Sequence, residues 1–174
     1  MDILDIAMEQ KIWIENTKSN FDHGGIGWEF GRCLWAPGPG AYGNSRYEFL
    51  QEVQVGDQVV HCYDRVFRGQ SKVALAAKIV KTEPPKAGPW SSRGEYYRIE
   101  LEDYKEFQKC LSLADFVSRY EAEIRDDLVE RAMRHPFCIH TGKIAPVQGQ
   151  FLTIASPQII KLLTMEFGQV FDES

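Results

Sequence analysis

A chain of 174 residues, 44% hydrophobic and 26% charged, has the composition of one folded domain and excludes intrinsic disorder. No run of about 18 apolar residues is present, which excludes a helical membrane span, and no secretory leader is expected, because the first ten residues lack a basic start. The net charge of −5 counts against a nonspecific nucleic-acid coat protein, which needs a strongly basic surface.

In chain order, residues 2–9 are compatible with a short helix. Residues 11–16 read as a strand: Ile12, Trp13 and Ile14 are β-favouring, and Asn16, Thr17 and Lys18 close it. Gly24, Gly25 and Gly27 make a loop, an apolar segment resumes from Gly31 to Trp35, and Pro37-Gly38-Pro39-Gly40 ends it. Residues 47–53 predict a short helix or turn. Gly56-Asp57 then opens a strand over 58–63, and Gly69 breaks the chain before a long strand over 72–81. A Pro- and Gly-rich loop holding Trp90 precedes a strand over 95–102, with Tyr97, Ile99 and Leu101 on one face. Leu113, Phe116, Val117, Tyr120, Ile124 and Leu128 form one apolar stripe, which predicts a single helix. Ser112 with Asp115 starts that helix and His135-Pro136 stops it. A strand over 150–155 and a helix capped by Ser156, with Pro157 at its first position, complete the order. Strands dominate the middle and helices come late, so the expected class is α+β: a curved β-barrel with helices packed outside, in one domain over 1–174.

Cys33, Cys62, Cys110 and Cys138 make no Cys-x-x-Cys pair, which suits a reduced, cytoplasmic protein without disulfides. His135, Cys138 and His140 are the nearest thing to a metal site, but a second ligand pair at standard spacing is lacking, so no metal and no cofactor is expected. Charge is unevenly spread. Residues 58–98 carry eight basic side chains against three acidic ones, a local +5 that leaves −10 for the remainder. Such asymmetry can focus a polyanion on one face, although lysine-rich strand edges produce it as readily.

Gly38-Pro39-Gly40-Ala41-Tyr42-Gly43 matches Gly-x-Gly-x-x-Gly in letters only, because prolines flank its first glycines and no long helix opens there. His61, Asp64, Arg65 and Arg68 lie close in sequence, yet a nuclease needs acidic metal ligands converging from several elements, so an ordinary strand end is the better reading. The tryptophans carry more. Trp13 lies mid-strand and is expected in the core, whereas Trp35 and Trp90 each adjoin a Pro/Gly-rich loop at a strand end, where barrel-rim pockets form. Two such rims facing each other would make a slot for a flat, unstacked base.

The runs Val55-Gly56-Asp57-Gln58-Val59-Val60-His61-Cys62-Tyr63 and Arg68-Gly69-Gln70-Ser71-Lys72-Val73 resemble the central strands of EVE and YTH domains in the PUA-like superfamily. Tyr96 to Leu101 resembles the next strand, Phe116 lies in a segment resembling the closing helix, and Gly149 to Thr153 resembles a late strand. Ile12 to Asn16 resembles the first. The resemblance runs in order over most of the chain. It implies a PUA-like barrel that reads a modified base without catalysing a reaction. It further implies Trp35 and Trp90 as cage walls, with Trp28 or Tyr42 as a possible third wall. Asn16 and Ser19 are implied on the base edge, and Arg93 with Ser91 and Ser92 near a phosphate.

Domains of this kind resemble the recognition modules of modification-dependent restriction systems. The expected partner is therefore double-stranded DNA carrying methylated cytosine or N6-methyladenine, flipped into the cage. A nuclease or NTPase would reside in another domain or subunit, with this chain as the N-terminal part of a larger protein. An RNA-binding module of the same superfamily and a small-molecule-binding barrel or enzyme are the alternatives. Membrane association is not expected.

Overall fold

The computed structural model describes residues 10–18, 24–40, 46–130, 134–147 and 150–168. The expected helix over residues 2–9 lies outside them. Among the described residues, six strands form one mixed sheet in the order β2-β5-β4-β3-β1-β8. These are β1 (Ile12–Thr17), β2 (Cys33–Pro37), β3 (Gln58–Tyr63), β4 (Val66–Val80), β5 (Tyr96–Ser112) and β8 (Leu152–Ile154). β1 runs parallel to β3 and every other pairing is antiparallel. The edge strands β2 and β8 are not paired with each other, so the sheet curls into a half-barrel rather than closing.

β4 and β5 are far longer than the sequence pattern suggests. Gly69 was expected to break the chain and instead sits inside β4, where a Cβ would stand 2.5 Å from the Lys105 carbonyl oxygen. Its missing side chain permits close backbone approach, and the pair bends there through a register shift between Phe67 and Gly69. The strand at 95–102 likewise continues, as β5, to Ser112.

The expected single helix is two: α1 (Leu113–Arg119) and α2 (Glu121–Glu130). Tyr120 breaks it, with φ −121° and ψ 30°. Its ring packs on Phe116 at 5.3 Å and its hydroxyl donates to Glu166 Oε1 at 2.5 Å, which ties the break to α3 (Pro157–Phe167). Ser112 and Ser156 cap α1 and α3 as expected, accepting from the Asp115 and Ile159 amides. A small hairpin of β6 (Phe137–His140) and β7 (Lys143–Pro146) went unread, because four-residue strands carry too little periodicity.

Period-two alternation gives the sheet two buried faces. Ile12, Ile14, Val60 and Cys62 face the helices, with Phe116, Ile124, Ile159 and Leu163. Trp13, Val59, Val73, Leu34, Ile99 and Leu152 fill the concave side. Trp13 is fully buried, as expected, and donates from Nε1 to Asp57 Oδ2 at 2.9 Å. No helix among the described residues is long and apolar enough to cross a membrane.

Candidate functional site

The ends of β1 and β3 build one wall of the site. Parallel pairing sets Asn16 beside Cys62 and Thr17 beside Tyr63, and the Asp64 amide donates to the Thr17 carbonyl at 2.9 Å. β3 turns into β4 through two residues, Asp64 and Arg65, with φ of 47° and 62°. Such a two-residue hairpin turn requires positive φ at both positions and normally selects Asn-Gly. An arginine there costs about 1–2 kcal/mol in backbone sterics. The Leu113 amide, donating to the Arg65 carbonyl at 2.9 Å, fixes the turn against the start of α1. The opposite wall is the segment before β8, where the Phe151 carbonyl accepts from the Asn16 amide at 2.6 Å.

Between these walls lies a cavity of about 440 Å³. Tyr47, Trp90 and Phe151 supply its aromatic lining. Their rings meet edge to face, with centroids 5.4 Å apart for Tyr47–Trp90, 5.3 Å for Trp90–Phe151 and 6.0 Å for Tyr47–Phe151. Lys18, Arg46, Arg65 and Arg93 also line it, and no acidic side chain does so among the described residues. The Arg46 guanidinium lies 5.5 Å from the centre of the Tyr47 ring, and Arg93 Nη2 donates to the Pro89 carbonyl at 3.1 Å. Asn16, Thr17 and Gln150 add neutral polar groups. The Thr17 hydroxyl is buried and has no hydrogen-bond partner among the described residues.

Of the residues singled out in the sequence, Asn16, Trp90 and Arg93 line this cavity. Trp35 does not. Leu34 and Ala36 point to the concave core, so alternation sends Trp35 to the other face of β2, into a cluster with Trp28, Cys33 and Tyr96. The slot expected between Trp35 and Trp90 is closed: their rings touch edge to face at 5.5 Å and 83°. Trp28 packs behind Trp35 at 5.2 Å, under the Arg98 guanidinium, away from the cavity. Ser91 closes its own turn by donating to the Gly88 carbonyl at 2.7 Å, and neither Ser91 nor Ser92 lines the cavity. Ser19 and Tyr42 lie outside the described residues. Tyr47, Phe151, Lys18, Arg46 and Arg65 were missed. Lys18 and Arg65 each lie two residues beyond the end of a predicted strand, a signal that was present, whereas Tyr47 and Phe151 reach the site only by folding.

His61 and Asp64 do not form a nuclease cluster. His61 is fully buried, its Nδ1 against the Glu15 carboxylate and its Nε2 2.7 Å from Ser71 Oγ. The three have the connectivity of a hydrolytic triad. However, Ser71 is 3% exposed, its hydroxyl also reaches the Gly31 carbonyl at 3.4 Å, and the rings of Phe30 and Tyr104 stand over His61. This network ties β1, β3 and β4 together. His135 is likewise structural: Nε2 donates to Asp127 Oδ2 at 2.7 Å, and Nδ1 accepts from the Phe137 amide at 3.1 Å. It does not converge with Cys138 and His140, and no group of three metal-binding side chains forms among the described residues.

No protein-family model and no curated protein matches this chain. Solved structures do. Human THYN1 protein in complex with 5-methylcytosine containing DNA aligns with a TM-score of 0.53 at 11% identity, covering 95% of this chain and 100% of that one. The DUF55 domain of human thymocyte nuclear protein 1 aligns with a TM-score of 0.53 at 12% identity, covering 91% of this chain and 99% of that one. The N-terminal domain of Staphylothermus marinus McrB aligns more weakly, at 0.46 and 12%, covering 90% and 94%. With the topology above, the first two establish an α+β, PUA-like fold.

Proposed function

We propose that this chain is an EVE-type reader on its PUA-like fold, one that binds DNA and takes a modified base, methylated cytosine or N6-methyladenine, into the cavity beside Trp90, without catalysing a reaction. The observation that carries the reading is the cavity itself: three aromatic rings and four cations, with no acidic side chain among its described lining residues. Aromatic faces suit a planar base, and cations suit its phosphates. At about 440 Å³ the space suits one small ligand and not a duplex, so a base in double-stranded DNA must leave its stack to enter.

Extrusion costs a few kcal/mol. Contact with the aromatic wall returns about 1–3 kcal/mol per base, and a methyl group buried there adds on the order of 0.8 kcal/mol. In this reading Trp90, Tyr47 and Phe151 form the aromatic wall, while Asn16, Thr17 and Gln150 are candidates for the base edge. The shared fold of a human protein solved with 5-methylcytosine containing DNA supports the choice of DNA. Cleavage in a modification-dependent restriction system would fall to a nuclease or NTPase in another domain or subunit.

The test is a titration against otherwise identical duplexes carrying 5-methylcytosine, 5-hydroxymethylcytosine, N6-methyladenine or no modification, with matched RNAs alongside. Tighter binding to one modified duplex is expected. Equal, weak binding to all of them would remove the modified-base reading.

A further inference from the structure

The four cations of the cavity fall into two pairs by their place in the fold. Lys18 and Arg65 stand together at the ends of β1 and β3, where the Asp64 amide bonds the Thr17 carbonyl. Arg46 and Arg93 accompany the aromatic pair Tyr47 and Trp90, which touch at 5.4 Å. Arg65 is the informative member. It holds φ 62° in a two-residue turn where glycine or asparagine is favoured, so the backbone disfavours an arginine there. Its carbonyl, which anchors Leu113, would serve equally from a glycine. The turn itself gives no reason for an arginine here, whereas the side chain lines the cavity.

We propose that the cavity takes an internal nucleotide of a continuous strand and grips its two flanking phosphates separately, one with Lys18 and Arg65 and the other with Arg46 and Arg93. The inference rests on the reading of the cavity as a nucleic-acid site. It adds that a free nucleoside lacks the groups that hold it, and that Arg65 is a phosphate-binding residue kept at the expense of the turn.

The experiment uses the full chain and a nine-nucleotide DNA single strand carrying 5-methylcytosine at its centre, with an N6-methyladenine strand alongside. One flanking phosphate at a time is replaced by a neutral methylphosphonate. Arg65→Gly is expected to leave Tm unchanged or raise it by roughly 2–4 °C, and to weaken binding to the unsubstituted strand about tenfold at low salt. It should also lower the slope of log K against log salt by about 0.7, one phosphate's share for a single strand. That loss should vanish when one particular phosphate is already neutral, and the loss from Arg93→Ala when the other is. Lys18→Ala should follow the pattern of Arg65→Gly. Wild-type affinity and slope for Arg65→Gly would overturn the proposal, as would losses indifferent to which phosphate is neutral, or a nucleoside binding as tightly as the strand. The phosphate pattern surviving without preference for a modified base would remove the base reading alone. Absence of binding to any strand would remove both.

Discussion

The ring of Trp90 stands edge to face against Trp35, with centroids 5.5 Å apart, and also meets Tyr47 and Phe151. It thereby joins two clusters on opposite faces of the sheet, and only the one containing Tyr47 and Phe151 borders the cavity. The two tryptophans should therefore separate on substitution. Trp35→Ala empties a buried site and is expected to cost about 3–5 kcal/mol of stability. Trp90→Ala removes a half-buried ring and should cost less in stability, while reducing affinity for the modified strand by about 1–3 kcal/mol. Urea denaturation and binding titration of both variants would check this. Equal effects on both quantities would contradict the division of roles.

Asp57 organises the entry to the sheet from below. Its carboxylate accepts from the Lys11 amide at 3.0 Å, Trp13 Nε1 at 2.9 Å and the Gln54 amide at 2.9 Å. Asp57→Ala leaves those donors unsatisfied, one of them a fully buried indole. A loss of roughly 3 kcal/mol is expected, read from the midpoint of urea unfolding. A loss below about 1 kcal/mol, the net value of a single such bond, would mean that water replaces the carboxylate.

The Glu15–His61–Ser71 chain is expected to be inert despite its connectivity. Burial under Phe30 and Tyr104 leaves the hydroxyl no route to a substrate. A fluorophosphonate probe should leave Ser71 unlabelled in the folded protein, and Ser71→Ala should bind nucleic acid as the parent does. Stoichiometric labelling of Ser71 would show that the covering rings open and that a hydrolytic role has to be considered.

Thiol reactivity should follow burial. Burial pushes the Cys33 thiol up to about 12, more than the opposing Arg98 charge offsets, and burial likewise pushes Cys62 up to about 12. Since the thiolate is the reactive form, iodoacetamide at pH 8 should modify exposed Cys110 first and half-buried Cys138 next. Cys33 and Cys62 should react only on unfolding, which peptide mass mapping would show. Early modification of Cys33 would mean that the Trp28–Trp35 cluster opens in the native state.

Acid should loosen the outer tryptophan cluster. The hydrogen bond from Arg98 holds the Glu100 carboxyl below its ordinary 4.5, and the same guanidinium lies 4.6 Å from the centre of the Trp28 ring. A lowered folded value means that this contribution to stability is complete above the ordinary value and is lost as pH falls through the lowered one. Tryptophan fluorescence of the parent should therefore change below pH 4.5. The change should be smaller in Glu100→Gln, which has no carboxylate to protonate. Superimposable profiles would remove Glu100 from the account.

Sequence alone determined what local chemistry controls. The β1 and β3 spans were legible from β-favouring residues bounded by turn signals, and the starts of α1 and α3 from Ser112 and Ser156 with their following residues. Trp90 was singled out from its Pro/Gly-rich loop, and Asn16 and Arg93 through the family resemblance alone; all three line the cavity. Tertiary structure decided the rest. Gly69 reads locally as a break, and only the close approach of Lys105 makes it part of a strand. Tyr120 fits a helical stripe, yet it separates two helices where its hydroxyl meets the distant Glu166. Trp35 borders a loop as Trp90 does, yet which face of the sheet it joins depends on the register of β2 against β5, and that register sends it behind the cavity. Tyr47 and Phe151 are separated by most of the chain, and their meeting across Trp90 is a property of the curled sheet, not of either neighbourhood.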